Sequence, residues 1–317
     1  MKKTIFLGSF AAITALLLAA CGESKVEGDG PTFGKIKVSV DETFAPIIDS
    51  QLMVFHKVYE RAHIDQIVGS EAEAINALLQ DSVRNAIVSR ELKPDEMEFL
   101  TKQGYKPRQL HIATDAIAVI TNLSNPDSSL TMEQLGSITS GKITDWSGVS
   151  KRRSGKIQVV FDNPNSSTVR YITDSLNKGA KLPDNVFATK TNVEVINYVA
   201  KTPNAIGFIG VSWVSSSTDT TKLSFLSKIK VLGIQPEQGK LGYGEPWLPF
   251  QAYIALKYYP LRRNIYSICR EARVGLGTGF ASWLASDRGQ RIIYKAGLIP
   301  ATMPQRIIKI RKKGKDY

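Results

Sequence analysis

Hydrophobic and polar residues alternate along Lys35-Ile36-Lys37-Val38-Ser39-Val40, a period of two that predicts a strand. After the turn Asp41-Glu42-Thr43-Phe44-Ala45-Pro46 the spacing changes. Apolar residues now recur at Ile47, Ile48, Leu52, Phe55 and Val58, the period of a helix. The same change happens twice more. Ile64 to Val68 predicts a strand ending at Gly69-Ser70, and Ser70 with Glu73 forms a capping box for a helix carrying Ala74, Ile75, Leu78 and Leu79. Asn85 to Val88 predicts a third strand, ending at Ser89-Arg90 and followed by a helix from Pro94. His111 to Ala113 and Ala116 to Ile120 form a long, nearly continuous apolar strand.

Further along, Thr131 and Gln134 mark a capped helix start, Lys156 to Phe161 a strand, and Thr168 through Ile172 and Leu176 a helix. A helix over Val193 to Val199, then strands over Ala205 to Gly210, Ile229 to Ile234 and Ala252 to Leu256, follow. Helices are expected over Arg263 to Ala272, Gly277 to Ala285 and Gly289 to Lys295. Alternating strands and helices predict an α/β fold with a largely parallel sheet.

The turn after Phe161 reads Asp162-Asn163-Pro164-Asn165-Ser166-Ser167-Thr168. The first N–H groups of a helix lack intrahelical partners and lie at the positive end of its dipole. Hydroxyl donors beside them make a seat for an oxyanion. One such turn is also explained by a serine that merely caps a helix. Here four strand-to-helix turns carry Ser or Thr at a strand's carboxyl end, where open α/β sheets place their ligand crevice. Four together point to an anion site.

Composition narrows the classes. The chain has 317 residues, enough for two lobes of roughly 100–200 residues. Cys21 and Cys269 are the only cysteines, so no disulfide framework exists, and Cys269 reads as a buried apolar residue. His56, His63 and His111 are scattered without ligand spacing, so neither a metal nor another cofactor is expected. Lys2-Lys3 and the apolar run Ile5 to Ala20 end in Leu18-Ala19-Ala20-Cys21. The run falls short of the ~20 residues of a membrane span, and small residues before the cut fit a signal peptide. Leu-Ala-Ala-Cys looks like a bacterial lipobox, which implies cleavage before Cys21 and acylation of its thiol. Much of the excess in the formal charge of +12 sits in the last residues, Arg306, Lys309, Arg311, Lys312, Lys313 and Lys315, read as a solvated tail. No aromatic interleaving points to nucleic acid.

Specific segments carry a family resemblance. They are Thr43-Phe44-Ala45-Pro46, Gly69-Ser70, Ser89-Arg90 with Pro94, Asp115 to Ile120, Leu130-Thr131 to Leu135 and Ser140-Gly141-Lys142-Ile143-Thr144-Asp145-Trp146. Ser166-Ser167-Thr168, Ala205 to Phe208, Tyr259-Pro260-Leu261 and Gly289-Gln290 to Gly297-Leu298 complete them. From about Lys35 to Ile308 the chain resembles phosphate ABC-transporter substrate-binding proteins of the PstS type, with a type II periplasmic-binding fold.

The resemblance implies two α/β lobes around a ligand cleft, with residues 35–121 and 219–317 in lobe 1 and 122–218 in lobe 2. Hinge crossings are expected near Ala118–Thr121 and Ser217–Ile229, after a signal peptide at 1–20 and a tether at 21–34. It implies an exported monomer, lipid-anchored to the cell membrane through Cys21, that captures inorganic phosphate for an ABC permease. Thr43, Phe44, Ser70, Ser166, Ser167 and Thr168 match the family's ligand-contacting turns. Two positions depart from the pattern, Arg90 where many relatives carry an acid and Asp162 where they carry an arginine. The opposite signs suggest an exchanged ion pair, with Arg90 on the oxyanion and Asp162 orienting it or accepting the ligand's proton. A receptor for another oxyanion, or a phosphate sensor, fits the same fold. A phosphohydrolase fits less well, since the chain lacks a GxSxG elbow and metal-ligand spacing.

Overall fold

In the computed structural model, which describes residues 28–180, 182–183, 186–214 and 226–304, the first alternating segment is strand β1 (Gly34–Asp41). One 3-10 turn, Glu42–Phe44, leads into helix α1 (Ala45–Val58), which buries Ile47, Ile48, Leu52 and Phe55. Next come β2 (Ala62–Gly69), α2 (Glu71–Leu79), β3 (Asn85–Val88), α3 (Pro94–Lys102) and the long β4 (Arg108–Asn122). The middle of the chain adds β5 (Ser129–Thr131), α4 (Met132–Thr139), β6 (Gln158–Phe161), α5 (Ser167–Ser175), β7 (Val186–Ala188), α6 (Asn192–Lys201) and β8 (Ala205–Gly210). The last part holds β9 (Ile229–Val231), β10 (Gly233–Gln235), α7 (Gln251–Ala255), β11 (Arg262–Cys269), α8 (Leu276–Ala285), α9 (Asp287–Lys295) and β12 (Ile299–Pro300). The leader, Cys21, the loop Ser215 to Thr221 and the basic C-terminus lie outside the described residues. Among the described residues, no helix is long and apolar enough to cross a membrane.

One sheet runs through the molecule in the order β2-β1-β3-β11-β4-β8-β6-β7. β1 is parallel to β2 and β3, and β11 lies antiparallel between β3 and β4. β4 serves two sets of neighbours, pairing with β11 over Arg108 to Ala116 and with β8 over Ile117 to Thr121. β8 and β6 are parallel to each other and run against β4, whereas β1, β2 and β3 run with it. The carboxyl ends of both sets therefore point at one seam, where β4 passes from one half of the sheet to the other. Tyr259, fully buried, fixes that crossing by donating its hydroxyl to the Ile117 carbonyl at 2.6 Å.

Helices seal both halves. On the first, Phe55 of α1 meets Phe280 and Trp283 of α8 edge-on, with ring centroids 5.5 Å apart in each pair. On the second, α6 lies so close to β8 that a Cβ on Gly207 would stand 2.8 Å from methyl carbons of both Val195 and Val199. Overpacking of this kind costs about 1–3 kcal/mol. Gly207→Ala should therefore lower the unfolding free energy measured in urea by that amount, and an unchanged midpoint would show that α6 moves away freely.

Two late elements differ from the sequence expectation. The segment expected as a helix, Arg263 to Ala272, is mostly strand β11, and the expected strand Ala252 to Leu256 is mostly helix α7. Ile265, Ile268 and Cys269 stand at helical spacing, while the buried strand face carries Arg263 and Ser267 beside Ile265 and Cys269, so the apolar residues alone do not show the period of two. The ladders to β3 and β4 decide for the strand. At α7 only Ile254 is fully buried, and Gln251 at its start donates to the carbonyls of Tyr294 and Leu298. The single strand expected over Ile229 to Ile234 splits at Leu232, so that β9 pairs with β4 and β10 with β5.

Candidate functional site

Four turns meet at the seam. Asp41 ends β1, and its Oδ1 accepts the Thr43 N–H at 2.9 Å, holding the 3-10 turn in which Thr43 and Phe44 are buried. After β2, Ser70 caps α2 in the expected box: the Glu73 N–H donates to Ser70 Oγ at 3.3 Å, and the Ser70 N–H donates back to Glu73 Oε2 at 2.7 Å. After β3, the N–H and hydroxyl of Ser89 both donate to Glu71, at 2.9 and 2.8 Å. After β6, Ser166 caps α5 by accepting the Val169 N–H at 3.2 Å, and its own hydroxyl donates to Asp162 Oδ1.

Bonds join the two sides. The Ser167 N–H donates to Asp41 Oδ2 at 3.2 Å. Arg170 of α5 pairs with Glu71 of α2 and also donates to Ser89 Oγ at 2.8 Å. Asn192, at the start of α6, donates through Nδ2 to Glu42 and to Asp162 Oδ2, while its Oδ1 accepts the Gly210 N–H at 3.2 Å. A Cβ on Gly210 would lie 2.5 Å from the Thr43 methyl, so the carboxyl end of β8 reaches Thr43 only because it ends in glycine.

Arg263 of β11 stands at the centre, 4 % exposed. Its Nε donates to Asp115 Oδ2 at 2.9 Å, and Nη1 donates to Ser167 Oγ at 3.0 Å and Thr168 Oγ1 at 3.3 Å. Its guanidinium also lies over the Phe44 ring, 5.0 Å from the centroid. Thr43 Oγ1, though fully buried, has no hydrogen-bond partner among the described residues.

Burial sets the electrostatics. It pushes the Asp162 carboxyl up to about 7 despite the Ser166 bond, with Asp41 and Glu42 nearby adding to the rise. Glu42 is likewise raised by burial to about 7, against the bonds from Asn192. Asp41 and Asp115 are raised by burial too, and Arg263 opposes the shift in both. Glu71 goes the other way. Burial alone would raise it, but the bonds and charge of Arg170, with two bonds from Ser89, hold it below the usual carboxylate range. Among the described residues no group of three His, Cys, Asp or Glu side chains is arranged to hold a metal ion.

The structure brings Thr43, Phe44, Asp162, Ser166, Ser167 and Thr168 together at the seam, with Ser70 at the start of α2. The exchanged pair does not form. Arg90 bonds Glu96 through both terminal nitrogens at 2.7 Å, and Asp162 is bonded by Ser166 and Asn192 instead. Glu96 is near in sequence and already bonds the Lys93 N–H, so it offers Arg90 a preset acceptor. Asp41, Glu42, Glu71, Asp115, Arg170, Asn192 and Arg263 were not foreseen. The signal for Arg263 was its alternation with Ile265, Ser267 and Cys269 along one strand face, hidden by the helical reading.

Comparison with known proteins adds three findings. The family model described as a PBP superfamily domain matches residues 25–288. Phosphate-binding protein PstS of Staphylococcus saprophyticus is 26% identical over 297 residues, covering 92% of this chain and 88% of its own; that of Staphylococcus aureus is 28% identical over 310 residues, covering 95% and 89%. A phosphate ABC transporter substrate-binding protein of Clostridium perfringens, solved with bound phosphate, superposes with a TM-score of 0.69 at 23% identity, over 84% of this chain and all of the other.

Proposed function

Since the chain belongs to the PBP superfamily, we propose that it captures inorganic phosphate between two lobes and passes it to the permease of an ABC importer. The lobes in this reading are residues 35–121 with 219–317, and residues 122–218, hinged near Ala118–Thr121 and Ser217–Ile229. The protein works as a binder with no catalysis. It is exported as a monomer, cleaved before Cys21 and held at the membrane by lipid on that thiol, with residues 21–34 as tether.

One observation carries the reading: Thr43 and the Ser166-Ser167-Thr168 turn face each other across the seam, with the buried Arg263 guanidinium donating to Ser167 and Thr168. Hydroxyl and N–H donors from two sides around one guanidinium make a seat for a tetrahedral oxyanion. The relatives named phosphate-binding protein support phosphate as that anion. Arg263, rather than Arg90, supplies the guanidinium. Thr43, Phe44, Ser166, Ser167 and Thr168 form the seat, and Ser70 and Arg90 support it from the neighbouring turns. Once ionised, above about 7, Asp162 accepts the proton that phosphate still carries there and sulfate lacks, so the wrong anion leaves an unpaired lone pair.

Calorimetric titration of the phosphate-depleted chain with phosphate, sulfate and molybdate tests this. Saturable phosphate binding without a sulfate response is expected. Equal binding of both anions would remove the role given to Asp162. Steady release of phosphate from an ester would replace the binder by a hydrolase.

A further inference from the structure

The donors that would hold an anion are already bonded by the chain's own carboxylates. Asp41 is the clearest case. It is fully buried, and its two oxygens span the seam, one on the Thr43 N–H at 2.9 Å and the other on the Ser167 N–H at 3.2 Å. The Ser167 donor belongs to the first turn of the nine-residue helix α5, where an anion is favoured. Its neighbour Thr43 Oγ1 is buried beside this carboxylate without a partner among the described residues. A carboxylate brings two acceptor oxygens, whereas a tetrahedral oxyanion brings up to four. Asp41 therefore fills part of the seat and leaves one hydroxyl over.

We propose that Asp41 is a built-in competitor for the ligand: its carboxylate fastens the two halves together by taking the Thr43 and Ser167 N–H groups, and an incoming phosphate must take those donors from it. This rests on the phosphate reading for the identity of the ligand, but not for the fastening. The purpose follows from linkage. A cleft held shut by an internal group binds its ligand more weakly by the strength of that hold. It also rejects anions that make fewer bonds than the ones they must replace. Phosphate, with Thr43 Oγ1 as an extra donor, outbids the carboxylate.

Two variants test this on the phosphate-depleted full chain. Asp41→Ala removes the side chain. Asp41→Asn keeps its size but leaves only one acceptor oxygen for two donors, so an N–H group faces an N–H group. Small-angle scattering should give both variants a larger radius of gyration than the parent, returning to the parent value on addition of inorganic phosphate. Calorimetry should show phosphate binding at least tenfold tighter in the variants. A radius identical to the parent in a folded Asp41→Asn chain overturns the fastening, whatever phosphate does. Parent and variants binding phosphate equally overturn the competition. If the radius grows as expected while no chain binds phosphate, the fastening stands and the phosphate reading fails.

Discussion

Arg263→Met lowers the unfolding free energy by about 3–5 kcal/mol, because it leaves the Asp115 carboxyl buried without its partner. Both side chains are almost wholly inaccessible, so water cannot replace the lost bonds. The loss does not mean that the pair is worth that much. A buried ion pair often breaks even against apolar residues of similar size, and the large penalty belongs to the orphaned charge. The double variant Arg263→Met/Asp115→Asn should therefore recover most of the stability lost by the single one. Binding should behave differently. With the guanidinium gone, phosphate binding is lost in both chains, since the seat keeps hydroxyls but no cation. Urea denaturation and titration of the same two proteins separate the roles. A single variant as stable as the parent would falsify the ion-pair argument, and a double variant that binds phosphate normally would remove Arg263 from the seat.

Stability falls as pH rises from about 5 to 7. Asp162 and Glu42 are raised in the folded chain to about 7, from ordinary values of 3.8 and 4.5. Below the ordinary values both states hold these protons, and the contribution is complete. Between the ordinary and folded values the unfolded chain has released protons that the folded chain keeps, so each unit of pH favours unfolding. Above about 7 both states are ionised and the loss levels off. Each carboxyl contributes on the order of a few kcal/mol, at 1.36 kcal/mol per unit of displacement. Asp41 and Asp115, raised by burial, act with the same sign. His56, lowered by burial and by His63, acts with the opposite sign as it protonates, but it is only partly buried. The lowered carboxyl of Glu71 loses its contribution only at more acidic pH. Melting temperatures at pH 5 and pH 8 check the sum, and Asp162→Asn should flatten the slope. A higher melting temperature at pH 8 than at pH 5 would contradict the burial assigned to these groups.

The first half of the fold was legible because its strands alternate and its helices begin on recognisable caps. Ser70 with Glu73 and Thr131 with Gln134 form the boxes their spacing predicts. Such signals are local, and a local pattern survives without knowledge of what packs on it. β11 was illegible for the converse reason. Its buried face reads Arg263, Ile265, Ser267 and Cys269, so a charged and a polar residue stand where a strand pattern expects apolar ones, and Ile268 on the other face adds a helical spacing. The site follows the same division. The hydroxyl turns could be read from Thr43, Ser166, Ser167 and Thr168. The charges around them could not, because Arg263 reaches Ser167 only through tertiary structure, and the acid that answers Arg170 is Glu71, on the opposite side of the seam. Arg90 shows how a sign reversal misleads: its nearest acid in space is also near in sequence, and Glu96 takes it before Asp162 can.

The place of β11 has a consequence for how the chain folds as it is made. β3 borders β1 on one side, and on the other it waits for Cys269 to pair with Asn85. Until that late stretch has emerged from the ribosome, the early strands can form a three-stranded sheet but carry a bare edge of Asn85-Ala86-Ile87-Val88. Unpaired apolar edges of this kind recruit other chains. β4 cannot cover it, because β11 lies between them. The sheet is completed last at its middle, not at its rim, and closing so distant a pairing is slow. A nascent chain of this topology depends on being kept from its neighbours until nearly all of it exists.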